Sequence, residues 1–185
     1  MNYYLSDPHW GHNKEFIVQK RGYTSIEEHD QCSIDKINSV VKPKDVLYMI
    51  GDFCFNTNYN WYFNQLNCKL ILLYGNHDKD FDKWFYKSNE CTFKSKLVEL
   101  PRAGYIDTKI AQEYPVTLCH YPMRAWNKSH FDSFHLYGHL HNKTDFGGKT
   151  LNISVDSLDG IPINEYQVID YMRDRSHNEG YIERV

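Results

Sequence analysis

Five short segments of this chain place metal-type donors directly after runs that read as β-strands: Asp7-Pro8-His9, Gly51-Asp52, Gly75-Asn76-His77-Asp78, His120 and Gly138-His139-Leu140-His141. Oxygen and imidazole donors that follow strands can emerge together at one sheet edge, so the five segments read as a two-metal site.

Each segment alone is weak. Asp7 and His9 are two apart, and a strand puts such residues on one side, where a carboxylate and an imidazole can face one ion. An isolated Asp-x-His is otherwise surface or turn chemistry. An isolated Gly-Asp is by default a turn whose Asp satisfies backbone N–H groups, although a carboxylate there can bridge two cations. In the third segment Gly75 lets the backbone turn as the strand ends, Asn76 offers a carbonyl oxygen, and His77 and Asp78 can form an imidazole–carboxylate pair. Its competing reading is an ordinary Asn/Gly turn. Gly138 permits close backbone approach ahead of His139 and His141. A lone histidine such as His120 is more often structural than a ligand. The conjunction decides the matter, because seven donors at strand ends do not each find a separate bland explanation.

With 185 residues, 41% of them hydrophobic, the chain can bury a real core and is too short for two typical domains, so one domain over residues 1–185 is expected. No low-complexity tract, like-charge block or repeat interrupts it. No charged leader or long apolar run precedes Asp7, so neither a signal peptide nor a membrane span is expected. Cys32, Cys54, Cys68, Cys91 and Cys119 are odd in number and form no CxxC pair, which points to a reducing, cytoplasmic setting and away from a thiolate zinc site. The net charge of −3 with mixed signs gives no reason to expect tight binding to long nucleic acid, which would need a basic face.

Strand-like runs at 2–6, 46–50, 69–74 and 115–119 end at proposed ligands, and two more, 134–137 and 149–154, flank the last histidines. Ser25-Ile26-Glu27-Glu28 has the form of a capping box, followed by Ile34, Ile37 and Val41, so a helix is expected up to Lys42-Pro43. A helical crossover favours parallel pairing of the strands it joins. Further helices are expected near 58–66, 80–87 and 163–173. The stretch 93–118 reads as strand-rich and implies a second sheet packed on the first.

The order D-x-H, GD, GNHD, H, GHxH resembles the calcineurin-like metallophosphoesterase superfamily over residues 7–141. The run His120-Tyr121-Pro122-Met123-Arg124-Ala125-Trp126-Asn127 is similar to that of small single-domain members from bacteria and their phages. The resemblance implies an α/β fold, a four-layer αββα sandwich of two mixed sheets flanked by helices. It also implies that Asp7, His9 and His141 ligate one metal, that Asn76, His120 and His139 ligate the other, and that Asp52 bridges them. His77 would contact the phosphoryl oxygens or protonate the leaving group, with Asp78 orienting it.

A charge count agrees with an anionic substrate. Two divalent ions against Asp7, Asp52 and a bridging hydroxide leave roughly one net positive charge in the cleft. The expected function is a phosphoric ester hydrolase in which the metal-bridging hydroxide attacks phosphorus. A phosphodiesterase acting on nucleotides or other small diesters is favoured over a phosphomonoesterase, a protein phosphatase or a non-catalytic scaffold. Mn²⁺ is the first expectation for the two ions, with Fe²⁺, Zn²⁺ and Ni²⁺ also suited to mixed N/O ligation. Short nucleic acid and a homodimer stay open as partners.

His12 is either a substrate contact or a loop histidine without a role, and Arg124 either binds a substrate anion or forms a surface ion pair. Trp10, Phe53, Tyr121 and Trp126 neighbour the ligands and serve either as a stacking platform or as packing. His29, His130, His135 and His177 have no metal-like context. Cys119 reads as a buried structural thiol.

Overall fold

Ser25 starts the crossover helix as its sequence predicts. Its hydroxyl accepts the N–H of Glu28 at 3.1 Å, while the Glu28 carboxylate reaches back to the N–H and hydroxyl of Thr24 instead of Ser25 itself, one residue beyond an ideal capping box. The computed structural model describes residues 1–55, 59–79, 81, 97–99 and 104–177. The elements run β1 (Asn2–Leu5), α1 (Glu15–Val18), α2 (Ile26–Val40), β2 (Val46–Ile50), α3 (Tyr59–Gln65), β3 (Lys69–Leu73), β4 (Leu97–Glu99), β5 (Tyr105–Ile110), β6 (Tyr114–Cys119), β7 (Phe134–Tyr137), β8 (Thr150–Asn152), β9 (Ile163–Asn164) and α4 (Glu165–Met172). The expected helix at 80–87 and Cys91 lie, apart from Phe81, outside the described residues.

The elements form two mixed sheets. The first has the order β4-β3-β2-β1-β9, with β1 to β4 paired in parallel and β9 antiparallel to β1. Its parallel β1/β2 pair is the one that the α2 crossover predicts. The second has the order β5-β6-β7-β8: β5 and β6 form an antiparallel hairpin, and β6, β7 and β8 are parallel.

Side-chain alternation along the first sheet explains the layering. Leu47 and Met49 of β2 and Leu70 and Leu72 of β3 turn to one face, where they join Ile34, Ile37 and Val41 of the α2 stretch and Tyr62 and Phe63 of α3. Tyr4, Ile50 and Leu73 turn to the other face and merge with Val116, Leu118, Phe134 and Leu136 of the second sheet and Val168 and Met172 of α4. Each such side chain, fully buried, contributes roughly 1.5–3 kcal/mol. The outer face of the second sheet is covered, among the described residues, by the irregular segment 121–133, whose Trp126 packs on His135 with 5.1 Å between ring centres. Among the described residues no helix is long and apolar enough to cross a membrane.

One consequence positions the site. The parallel strands β1, β2 and β3 of one sheet and β6 and β7 of the other all end at the same side of the sandwich. Segment 153–155 stitches the two sheets there, with Ser6 N–H donating to Ile153 O and Val155 N–H donating to Ser6 O.

Candidate metal centre

Seven donor residues follow directly on these strand ends, but not through strand alternation. Asp7 and His9 lie beyond the end of β1, so extended backbone does not put them on one side, as the sequence reading expected. Each instead adopts the left-handed region, with φ of 61° and 54°, as do Asp52 (52°), His139 (72°) and His141 (46°). A non-glycine residue in such a conformation costs roughly 1–3 kcal/mol and persists only where its surroundings hold it. Five of the seven donors carry this cost, which marks the loops as built for where the side chains point.

The loops cross at contact distance. A Cβ on Gly75 would sit 2.1 Å from Asp52 Oδ1, and one on Gly138 would sit 2.2 Å from Asp7 Oδ2. Glycine is required at both because another loop's carboxylate occupies the space a side chain would need.

The donor atoms fall into two overlapping groups. Those of Asp7, His9, Asp52 and His141 all lie within 4.8 Å of one another, and so do those of Asp52, His120 and His139. His9 Nε2 lies 3.0 Å from His141 Nε2 and 3.5 Å from Asp52 Oδ2, and Asp7 Oδ1 lies 3.7 Å from His141 Nε2. On the other side His120 Nε2 lies 3.4 Å from Asp52 Oδ2 and 3.1 Å from Asn76 Oδ1. Bonds of about 2.1 Å to one ion put neighbouring ligands about 3.0 Å apart in an octahedron and about 3.4 Å apart in a tetrahedron. The spacings of 3.0, 3.1 and 3.4 Å fall in that range, and those of 3.5 and 3.7 Å lie just beyond it. Asp52 Oδ2 is nearly equidistant from an imidazole of each group, which is where a bridging carboxylate belongs.

Asp7 carries a sharper sign. Its Oδ2 accepts from Ser6 Oγ at 2.6 Å and from the N–H of His139 at 2.8 Å, while Oδ1, fully buried, has no hydrogen-bond partner and faces the imidazoles. A buried carboxylate oxygen without a donor is costly unless a cation completes it. The residues present therefore fit a pair of divalent ions.

A further layer of bonds aims the ligands. His141 donates from Nδ1 to Asp156 Oδ2 at 2.9 Å, the carboxylate–histidine arrangement that fixes a ligating ring. Asp156 is gripped by Arg21, whose Nε and Nη2 meet its two oxygens at 3.0 and 2.8 Å. His120 Nδ1 donates to Ile50 O at 2.9 Å. Asp78 departs from its expected task. Its buried carboxylate accepts the backbone N–H groups of Asp52, Phe53 and Gly75 at 2.7, 2.9 and 2.8 Å, so it clamps two ligand loops together and does not orient the ring of His77.

The electrostatics follow from burial and pairing. Burial holds His9 neutral, with its pKa lowered to about 2. Burial works against a proton on His120 as well, but the carboxylates of Asp52 and Asp7 outweigh it and lift that pKa to about 9. Burial alone would raise Asp52; its hydrogen bond and Coulombic attraction to His120 bring it down to about 2. Asp156 resists burial in the same way, held well below the usual carboxylate range by His141 and Arg21. Burial pushes the Asp7 carboxyl up, against the pull of His120 and His141, so a carboxylate there calls for positive charge close by.

His77 is exposed at the rim; its backbone N–H donates to Asp52 Oδ1 at 2.9 Å, and its ring lies 4.4 Å from that of Phe55 and 5.6 Å from that of His9. His12 joins the same wall, stacked on Phe55 at 3.5 Å between centres. Arg124 is exposed on the segment after β6. Of the four neighbouring aromatics, Trp10, Phe53 and Trp126 are buried core residues, whereas Tyr121 is 46% exposed and lies 4.8 Å from the His139 ring. His29, read as having no metal context, is buried beside Asp30 and Arg21 in the supporting network. Sequence reading also missed Ser6, Arg21 and Asp156. Only Asp156 had a signal, since it stands two residues beyond the strand-like run 149–154 just as Asp52 stands two beyond 46–50.

No protein-family profile matches the chain. It is similar to an uncharacterized protein of Methanocaldococcus jannaschii, with 26% identity over 173 residues that cover 88% of this chain and 85% of that protein. Among solved structures it is similar to a protein of unknown function from Aquifex aeolicus, with a TM-score of 0.67 and 23% identity over 92% of this chain and 98% of the other. At that identity the likeness carries the fold alone: an α/β chain of two mixed sheets and helices, shared over nearly its whole length.

Proposed function

We propose that this protein is a dinuclear-metal-dependent phosphoric ester hydrolase of the calcineurin-like metallophosphoesterase superfamily, with a preference for phosphodiesters of nucleotides or other small molecules. The observation that carries the reading is the placement of Asp52 Oδ2 between His9 and His120, 3.5 and 3.4 Å away, with the unpartnered Asp7 Oδ1 beside it. On this reading Asp7, His9 and His141 hold one ion, Asn76, His120 and His139 the other, and the fold is a variant of that superfamily's four-layer sandwich in which, among the described residues, the irregular segment 121–133 stands where a helical layer would cover the second sheet. Two divalent ions in these positions, Mn²⁺ before Fe²⁺, Zn²⁺ or Ni²⁺, supply Lewis-acid activation of a phosphoryl group and of the attacking water.

The chain's own groups then have distinct tasks. His77, exposed beside the cluster, reaches the phosphoryl or leaving-group oxygen. His12 and Phe55 beside His9 and His77, and Tyr121 beside His120 and His139, flank the cluster with aromatic rings. Arg21 spends all five of its donors on protein acceptors, so its charge is not offered to substrate. The preference for a diester follows from the resemblance to small stand-alone members of that superfamily, whose preference often lies with diesters.

The test is the initial rate of hydrolysis of a chromogenic phosphodiester and the matching monoester by metal-stripped protein, with and without Mn²⁺. Faster Mn²⁺-dependent cleavage of the diester is expected. Preference for the monoester would move the protein to the phosphatase reading, and no hydrolysis of either with metal bound would remove the catalytic one.

A further inference from the structure

Arg21 is 91% buried at its side chain and uses every N–H it has. Nε and Nη2 grip the two oxygens of Asp156 at 3.0 and 2.8 Å, Nη2 also donates to Asp7 O at 3.0 Å, and Nη1 donates to Pro8 O at 2.9 Å and to His29 Nε2 at 3.0 Å. His29 in turn donates from Nδ1 to Asp30 Oδ1, and Asp30 accepts the N–H of Gly11. One guanidinium thus ties the backbone carbonyls of the Asp7–His9 loop to the carboxylate that aims His141.

These partners all belong to one half of the donor cluster. Asp7 and His9 sit in left-handed backbone on either side of Pro8, and Arg21 pins the carbonyls of Asp7 and Pro8 between them. Through Asp156 it also sets the ring of His141. None of its five bonds reaches Asn76, His120 or His139. The supports of that half lie elsewhere: Ile50 O for the His120 ring, and the Asp78 clamp for the Asp52 and Gly75 loops. Hydrogen bonds that cross between the halves run through backbone groups, His139 N–H to Asp7 Oδ2, Asp7 N–H to Gly51 O and His9 N–H to Asp52 O, and none of these three sets the ring of His120 or of His139.

The geometry points to Arg21 as a positioning residue for one ion of the pair: it builds the Asp7–His9–His141 half and leaves the Asn76–His120–His139 half alone, so its removal turns a two-ion centre into a one-ion centre. This rests on the metal reading above and goes beyond it by assigning unequal dependence to the two sites. Lysine does not substitute, because a compact ammonium cannot span the Asp156 fork and two carbonyls at once. A cavity of about 390 Å³ opens beside Arg21, lined among others by Lys20, Tyr23, His29 and His141. A free guanidinium ion fits it and has a route to the space a truncated Arg21 would leave.

The experiment is Mn²⁺ titration by equilibrium dialysis and electron paramagnetic resonance on the wild type, Arg21→Ala and Asp156→Asn. The wild type is expected to bind two exchange-coupled ions. Arg21→Ala should weaken one of them roughly 10- to 100-fold, the range for losing a group that orients ligands, and leave the hyperfine pattern of isolated Mn²⁺. Millimolar guanidinium, far below denaturing levels, should restore the coupled spectrum. Two coupled ions of wild-type affinity in Arg21→Ala would overturn the assignment, as would loss of both ions from a variant that melts like the wild type. If Arg21→Ala does not fold, Asp156→Asn decides: selective weakening of one ion supports the assignment and unchanged binding overturns it. A wild type that binds no Mn²⁺ would overturn the metal reading and this inference with it.

Discussion

The carboxylate of Asp78 accepts the backbone N–H of Asp52 at 2.7 Å, joining two loops that are 26 residues apart in the chain. The same carboxylate takes the N–H groups of Phe53 and Gly75, so the loop bearing the bridging candidate Asp52 and the loop bearing Asn76 and His77 are locked by one buried side chain. Asp78→Ala would strand three N–H groups, each costing about 1–3 kcal/mol if left unpaired. A loss of at least ~3 kcal/mol in urea unfolding is expected, with Asp78→Asn milder because it keeps one acceptor oxygen. An Asp78→Ala protein of wild-type stability and reduced turnover would instead return Asp78 to the role of orienting His77.

Gly75→Ala places a methyl group 2.1 Å from Asp52 Oδ1, between two loops that the Asp78 clamp prevents from separating. Mn²⁺ binding should fall sharply in this variant, measured by equilibrium dialysis. Gly104→Ala is the control: its φ of 74° carries the usual left-handed strain, but the added Cβ meets nothing within 4 Å. It should lose about 1 kcal/mol of stability and no metal.

His77→Ala separates chemistry from construction. The side chain is exposed, and only the backbone N–H of His77 bonds to Asp52, a bond that alanine preserves. The variant should bind two Mn²⁺ ions and melt like the wild type, while kcat on a diester drops by about 100-fold or more. Unchanged kcat would remove His77 from the mechanism.

His135 predicts acid sensitivity away from the centre. It is fully buried; Nδ1 donates to Thr117 O at 3.0 Å and Nε2 accepts the N–H of Met123 at 2.9 Å, so the ring is held as one neutral tautomer. Burial lowers its pKa to about 4 from an ordinary 6.5. Between those values the unfolded chain binds a proton that the folded protein refuses. The associated stability is therefore complete above pH 6.5, declines as pH falls and levels off below about 4, for a total of ~3 kcal/mol. Urea unfolding across this range should show that slope in the wild type and lose it in His135→Gln. Parallel curves for the two proteins would sink the assignment.

Much of the architecture was legible because it is locally encoded. The runs at 46–50 and 134–137 match β2 and β7 to the residue, and Ser25, Ile34 and Ile37 announce α2. The donors were legible for a related reason: a polar ligand placed straight after an apolar strand needs no knowledge of what lies opposite. The Asn164–Gln167 capping box that starts α4 was equally local and simply went unread.

What the sequence by itself determined is which residues stand at the strand ends and which of them have ligand chemistry. What the tertiary structure alone decided is how they are held. Arg21 and Asp156 lie 135 residues apart, and no spacing along the chain relates them. Asp78 was visible as a neighbour of His77, yet its partners are amides brought to it by folding. The left-handed backbones of Asp7, His9, Asp52, His139 and His141 likewise follow from no residue preference strong enough to offset their strain. Contacts between loops from two different sheets supply that energy, and such contacts exist only once the sheets have packed.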